Sequence, residues 1–416
     1  MTYRTDTVII GAGQAGLAVG RCLADAGIDH VIIDRGRVGE RWRSERWRSL
    51  RLLTPNWMTR LPGFAYDGSD PDGFMPRRDV VHFLEAYQSS FQSPVFAYTA
   101  VDEVARAGQG YLITTDRGQI LARCVVVATG ACDRPHIPAF AHDIPASIRQ
   151  IAPSDYRSPQ DLPEGGVLIV GASATGVQLA EEIHISGRPV TIAVGRHARM
   201  PRTYRGRDIM AWLDATGFLT EPRPLDVEAT RLSQQPSLQL VGDSNRHCLD
   251  LPALEKLGVR IVGRALGVNG SRLALGADLD AACAGAERRR QKILAFIDNH
   301  IADAGLNVPR DPSAWSNPGI SSPDCPDINL EAEGIRSVMW ATGYRRAYPW
   351  LRVPVLDGTG EICNVHGVTA SRGLYVLGLP FMTHRASTFI DGVGRDASII
   401  ATHIAADLGH TLRAAA

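Results

Sequence analysis

Along this chain the apolar positions follow two rhythms, and in two places one rhythm hands over to the other at a glycine turn. Each place opens with a short β-branched run, breaks at glycines, and continues with apolar residues at helical spacing, the signature of strand, tight turn and helix. The first is TVIIGAGQAGLAVGRCLADAG, with Val8 to Ile10 as strand, Leu17, Val19, Cys22 and Leu23 on the buried side of the helix, and a partner strand from His30 to Asp34. The second is GVLIVGASATGVQLAEEIHISG, with strands at Val167 to Val170 and Val190 to Val194. One supersecondary unit is used twice.

Between them, YLITTDRGQILARCVVVATG reads as an antiparallel pair turned at Asp116-Arg117-Gly118, whose second strand runs buried into Ala128-Thr129-Gly130. The same tripeptide returns in SVMWATGY as Ala341-Thr342-Gly343. Helical periodicity predicts an amphipathic packing helix over Asp278 to Ala304, and a final strand, GLYVLGLP, leads to a helix capped by Asp391 and ended by a glycine. Proline punctuation between Pro135 and Pro163 marks a crossover between domains, with the boundary near Pro159 to Gly165. The fold class is therefore α/β with two dinucleotide-binding, Rossmann-like domains.

Composition narrows what such a fold serves. A chain of 416 residues has room for two nucleotide-sized domains or for one interrupted by another. Lys+Arg and Asp+Glu are 44 each, which removes the broad electrostatic footprint of a nucleic-acid or anionic-membrane binder. No apolar run approaches the ~18 residues that span a bilayer, and the N-terminal stretch has no signal-peptide pattern; the expected location is the cytoplasm, and the expected partners are small molecules. The 7 cysteines are scattered with no C-x-x-C pair, so neither a disulfide framework, a metal site nor a dithiol reductase is indicated.

The glycines carry the chemistry. In Gly11-x-Gly13-x-x-Gly16 the first glycine makes the tight turn, the second admits a pyrophosphate to the backbone, and the third lets helix and strand approach. Gln14 and Ala15 open the helix, and Asp34, followed by Arg35, ends the partner strand where a carboxylate accepts from ribose hydroxyls. In Gly171-x-Ser173-x-x-Gly176, with Thr175 in the first helical turn, serine replaces the middle glycine and adds a hydroxyl. No acid closes the second strand there; Arg196, His197 and Arg199 stand where the adenosine ribose belongs, and an arginine pairs with a 2′-phosphate that an acid would repel. The expected cofactors are FAD in the first site and NADPH in the second. A solvated arginine loop is the alternative reading of that stretch; Arg202, Arg205 and Arg207, followed by Asp208, form either an NADP loop or a substrate clamp, with a surface ion-pair cluster as the alternative.

With these residues in view the chain resembles the flavin-containing monooxygenase superfamily, in particular its bacterial and YUCCA-like members. Besides the glycine motifs, the resemblance rests on GERW (Gly39 to Trp42), SLRLLTPNWMTRLPG (Ser49 to Gly63), MPRRDVVHFLEAY (Met75 to Tyr87) and both ATG tripeptides. It implies an FAD domain interrupted by an NADPH domain: residues 1–162 and 328–416 for the former, 163–327 for the latter, with a partly helical insertion over about 216–327. It also implies that Glu40, Arg41, Trp42, Leu53, Thr54 and the first ATG (Ala128, Thr129, Gly130) lie along the FAD. Ala341, Thr342 and Gly343 go with the NADPH site. The start of the last helix, Asp391 and Gly392, is expected to turn its positive dipole end to the flavin.

The implied reaction is monooxygenation: NADPH reduces the flavin, O2 adds as a C4a-hydroperoxide, and one oxygen passes to a small molecule, with N- or S-hydroxylation ahead of Baeyer–Villiger chemistry. The oxygenase fingerprint F-x-G-x-x-x-H-x-x-x-[WY] would end at Tyr156, but its other positions fall on Ala146, Ile148 and Ala152. Asn56 and His384 are the candidate catalytic side chains, since the family's asparagine aligns on Leu53 and His384 precedes the flavin-facing helix. Ordinary packing is the alternative for Trp42 and Trp47. An NADPH oxidase or reductase without oxygen transfer, and a flavin-bearing sensor or regulatory module, remain alternative functions; substrate and homo-oligomeric state are open.

Overall fold

The computed structural model describes residues 2–223, 235–321 and 325–410. Its first sheet runs, in spatial order, through Val95–Phe96, His30–Ile33, Thr2–Ile10, Gly118–Val127, Gly110–Thr115 and Val101–Ala107, with Leu374–Val376 also paired to Gly118–Val127. Thr2–Ile10 lies parallel to both its neighbours, so Val8, Ile9 and Val125 to Val127 are covered on both faces. Helix Gln14–Asp25 lies on one face against the C-terminal helix Val393–Leu408. The antiparallel pair expected around Asp116 is present, from Gly110–Thr115 to Gly118–Val127.

The second sheet has the order Arg149–Ile151, Ile335–Trp340, Gly166–Val170, Val190–Ala193, Arg260–Val262 and is parallel throughout. Its membership moves the expected domain limits. Arg149–Ile151 lies before residue 163 and Ile335–Trp340 after residue 327, yet both are strands of this sheet. Proline punctuation marks where the chain turns, not where hydrogen-bond partners change.

The expected packing helix spans Leu279–Asp303, with Ala286, Leu294, Ile297 and Ile301 buried. Its apolar face closes a separate cluster with Met200, Trp212, Leu213 and Leu219, which also takes in Met58 and Ala386 from the unit of the first sheet. The insertion thus forms a helical lobe that spans the two sheet units. The last helix begins at Val393 with Gly392 as N-cap. Asp391 does not cap it; its carboxylate accepts from Arg60 at 2.5 and 2.8 Å instead, a forked ion pair that an exposed arginine can supply and a helix amide cannot. Among the described residues no helix is long and apolar enough to cross a membrane.

Candidate functional site

The two glycine turns are built alike down to their support. Gly11 (φ 117°) and Gly171 (φ 109°) both adopt a left-handed conformation. A Cβ on Gly11 would collide with the Ala128 carbonyl, and one on Gly171 with the Ala341 carbonyl. Each ATG tripeptide therefore buttresses the first glycine of one motif. A Cβ on Gly16 or Gly176 would run into the carbonyl of Gly11 or Gly171, which explains why the third position must be bare. Gly13 faces open space, with nothing within 4 Å of where its Cβ would be. That open, amide-lined cradle at the start of Gln14–Asp25 fits the pyrophosphate of a dinucleotide.

The first cradle gathers most of the residues expected there. Asp34 accepts from Ala12 N and Gly36 N, each at 2.7 Å, which fixes the carboxylate while leaving lone pairs for ribose hydroxyls. Gly39 N donates to Ala12 O at 3.0 Å, tying the GERW segment to the turn. Within it Glu40 pairs with Arg37, Arg41 with Asp133 at 2.7 Å just beyond Gly130, and the Trp42 ring lies under Arg46. Arg41 Nη1 is buried without a hydrogen-bond partner, 3.7 Å from the Glu45 carboxylate. Arg35 is largely exposed. Gln14 reaches the carbonyl of Thr388 at 3.4 Å, Ala15 packs under Gly378, and Gly392 sits close against Ala386, so the last helix starts near the same turn. Leu53 and Thr54 are half-buried, and the Leu53 carbonyl is held by Arg202 at 2.7 Å. Trp47 packs into the core of the second unit, which decides for packing at that position.

The second cradle differs in its cover. Ser173 is N-cap of Ala174–Ile185 without a side-chain cap bond, Thr175 is half-buried in the first turn, and Thr342 donates to the His136 carbonyl while Gly343 is left-handed. Insertion residues lie across the turn: Ala174 N donates to Ser237 Oγ at 3.3 Å, and the fully buried Gln239 donates to Ala172 O at 2.7 Å. Since Nε2 must face that carbonyl, Gln239 Oε1 is left buried and unpartnered. Neither residue carries a sequence signal; only strand pairing of Leu238–Gln239 with Ala198–Arg199 brings them here.

The arginines expected at the ribose are dispersed. Arg199 is mostly buried and committed to Asp250 at 2.6 Å and Glu287 at 3.2 Å. Arg202 is 1% exposed, paired with Asp208 and stacked on Phe74 at 4.5 Å. Arg205 pairs with Asp298, and Arg207 covers Trp212. His197 is buried with Nδ1 against Gly195 O at 3.1 Å, and burial pushes it below the ordinary histidine range, so it is neutral. Arg196 remains exposed at the turn. Arg199, Arg202 and Arg205 are thus spent in ion pairs, and Arg207 on an aromatic face.

Of the two catalytic candidates, Asn56 ties a loop: Nδ2 donates to Asp70 O at 2.8 Å, and Oδ1 is buried without a partner. His384 is 2% exposed, its Nδ1 2.8 Å from Thr383 Oγ1 and 3.7 Å from Asp396. Asp396, in the first turn of the last helix, also accepts from Thr383 and keeps Oδ2 unpartnered. The fingerprint's terminal Tyr156 has a different use: its hydroxyl donates to Glu182 at 2.9 Å, and Ser49 of the first unit donates to the same carboxylate.

Comparison with known proteins agrees with this geometry. A family model described as pyridine nucleotide-disulphide oxidoreductase matches residues 8–216. An uncharacterised CzcO-like oxidoreductase of Geobacillus kaustophilus is 30% identical over 97% of this chain and 99% of its own length. A probable indole-3-pyruvate monooxygenase, YUCCA1 of Arabidopsis thaliana, is 28% identical over 42% of this chain and 44% of its own. Among solved structures, the flavin-containing monooxygenase of Stenotrophomonas maltophilia superposes with a TM-score of 0.65 at 19% identity, covering 97% of this chain and 99% of that one.

Proposed function

The chain belongs to the pyridine nucleotide-disulphide oxidoreductase family and to the flavin-containing monooxygenase superfamily, and from that premise we propose that it is an NADPH- and FAD-dependent monooxygenase acting on a small molecule. The observation that carries the reading is the duplicated cradle, one turn for each dinucleotide, each with its own ATG buttress. Bound there, the nicotinamide dinucleotide supplies a hydride and the flavin supplies hydride acceptance and oxygen activation.

The chain's own residues bind, orient and exclude water. Asp34 holds a ribose, the amides at Gly13 and Gln14 face a pyrophosphate, and the start of Val393–Leu408 offers its positive end to charge that develops on reduction. The helical lobe, with Met200, Trp212 and Leu213 packed on Met58 and Ala386, covers the junction with apolar surface and keeps it dry. A soft nucleophile, amine or sulfide, suits a reaction whose hard step the flavin carries. YUCCA relatives, named for indole-3-pyruvate, add an oxo acid to the substrates worth assaying.

Stoichiometry tests the proposal. Purified enzyme given NADPH, O2 and panels of amines, sulfides and oxo acids should form one oxygenated product per NADPH for at least one of them. Peroxide as the sole product throughout would establish an oxidase instead, and negligible NADPH turnover a sensor.

A further inference from the structure

The second cradle, taken as the nicotinamide dinucleotide site proposed above, leaves its ribose end with only one of the two arginines expected there, Arg196. Arg199 cannot serve: its guanidinium sits between Asp250 and Glu287, and a phosphate approaching it would meet both carboxylates. His197 is turned inward and neutral.

Another element supplies charge at this place. Helix Leu279–Asp303 runs beside Ala198–Arg199, and Arg289 on its flank donates from Nη2 to the carbonyl of His197, inside the turn that follows strand Val190–Ala193. Arg288 is its neighbour on the exposed side. Neither makes an ion pair with a carboxylate among the described residues, because the nearby acids are already engaged: Glu287 with Arg199 and Arg290, Asp250 with Arg199, Asp278 with Arg264.

Burial, and then the charges of Arg196 and Arg288, hold Arg289 below the ordinary arginine range, so the three cations repel one another. A side chain fixed by one hydrogen bond still has four of its five donors to offer. Such crowding is unfavourable until a compact dianion enters, and a phosphate monoester matches forked guanidinium donors.

We infer that Arg288 and Arg289 of the insertion helix, together with Arg196, form the subsite for the 2′-phosphate of the dinucleotide. Selectivity for the phosphorylated cofactor would then reside largely in an element outside the dinucleotide fold, while Arg199 anchors that element through Glu287.

Calorimetric titration of the full-length flavoprotein with adenosine 2′,5′-bisphosphate and with adenosine 5′-monophosphate separates the outcomes. The R288A/R289A double variant should bind the bisphosphate about tenfold or more weakly, the scale of a lost charge-assisted contact, and the monophosphate unchanged. Equal weakening of both ligands, or none, would overturn the assignment. R289K should recover part of the bisphosphate affinity, which excludes misfolding as the cause. If the unaltered protein binds neither ligand, the dinucleotide reading of the second cradle fails before any variant is made.

Discussion

The Tyr156 hydroxyl donates to Glu182 at 2.9 Å, from a ring with no exposed surface. Glu182 lies on the helix of the second cradle and takes a further hydrogen bond from Ser49, on the segment that leads to Leu53 and Thr54. One carboxylate thus joins the crossover, the second dinucleotide helix and the first unit. Tyr156→Phe leaves a carboxylate oxygen without its donor, at a cost of about 1–2 kcal/mol. In denaturant titrations its midpoint should fall with the slope unchanged. An unaltered midpoint would show that water replaces the hydroxyl and that the link is weak.

The third glycines give the sharpest separation of the two cradles. In each, an added methyl meets a backbone carbonyl that cannot withdraw, so the helix must move off the strand. Gly16→Ala should yield protein without flavin, read from the visible absorbance of the purified enzyme. Gly176→Ala should keep flavin that dithionite reduces and NADPH no longer does. Were both variants to lose flavin, the cradles would not be independent.

Much of this was legible in the chain itself, and what was not has a physical reason. The turns at Gly11 and Gly171 are local: strand, glycine and helix are set within one stretch, and periodicity reports them. That the two ATG segments support those same glycines is implicit in their repetition, but only parallel pairing of Thr2–Ile10 with Gly118–Val127, and of Gly166–Val170 with Ile335–Trp340, brings carbonyl to glycine. At the ribose end the pattern is less informative, because charge in a sequence says nothing of partners. Arg199 meets Asp250 and Glu287, 51 and 88 positions away. Ser237 and Gln239 reach the second cradle by two-residue strand pairing, too short for any pattern to announce.

Arg199 consequently belongs to stability more than to binding. Its side chain is 15% exposed, and removing it takes the only cation among the described residues from buried Asp250, which keeps the Ala253 amide, while Glu287 retains Arg290. Loss of one member of a mostly buried ion-pair network costs about 3–5 kcal/mol. Arg199→Ala should therefore unfold at markedly lower temperature. Below its transition it should still bind adenosine 2′,5′-bisphosphate more tightly than the monophosphate. A variant of normal stability that had lost this preference would restore Arg199 to the ribose.

His30 sets an acid limit on the first unit. It is 4% exposed, with its ring nitrogens 2.8 Å from Ile28 O and 2.6 Å from Ser93 Oγ, and burial pushes it below its ordinary value of 6.5. In the unfolded chain the ring takes up a proton as pH falls through that value, whereas in the fold it stays neutral to lower pH. The unfolded state then binds more protons, so this contribution to stability is intact above about pH 6.5 and is lost as pH falls below it. His197 is shifted in the same direction by burial and adds to the slope. His30→Gln keeps a side chain able to meet Ser93 and removes the titration. Its melting temperature should drop less than that of the unaltered protein between pH 7.5 and pH 5.5. Identical acid limbs in the two proteins would assign the loss of stability to other groups.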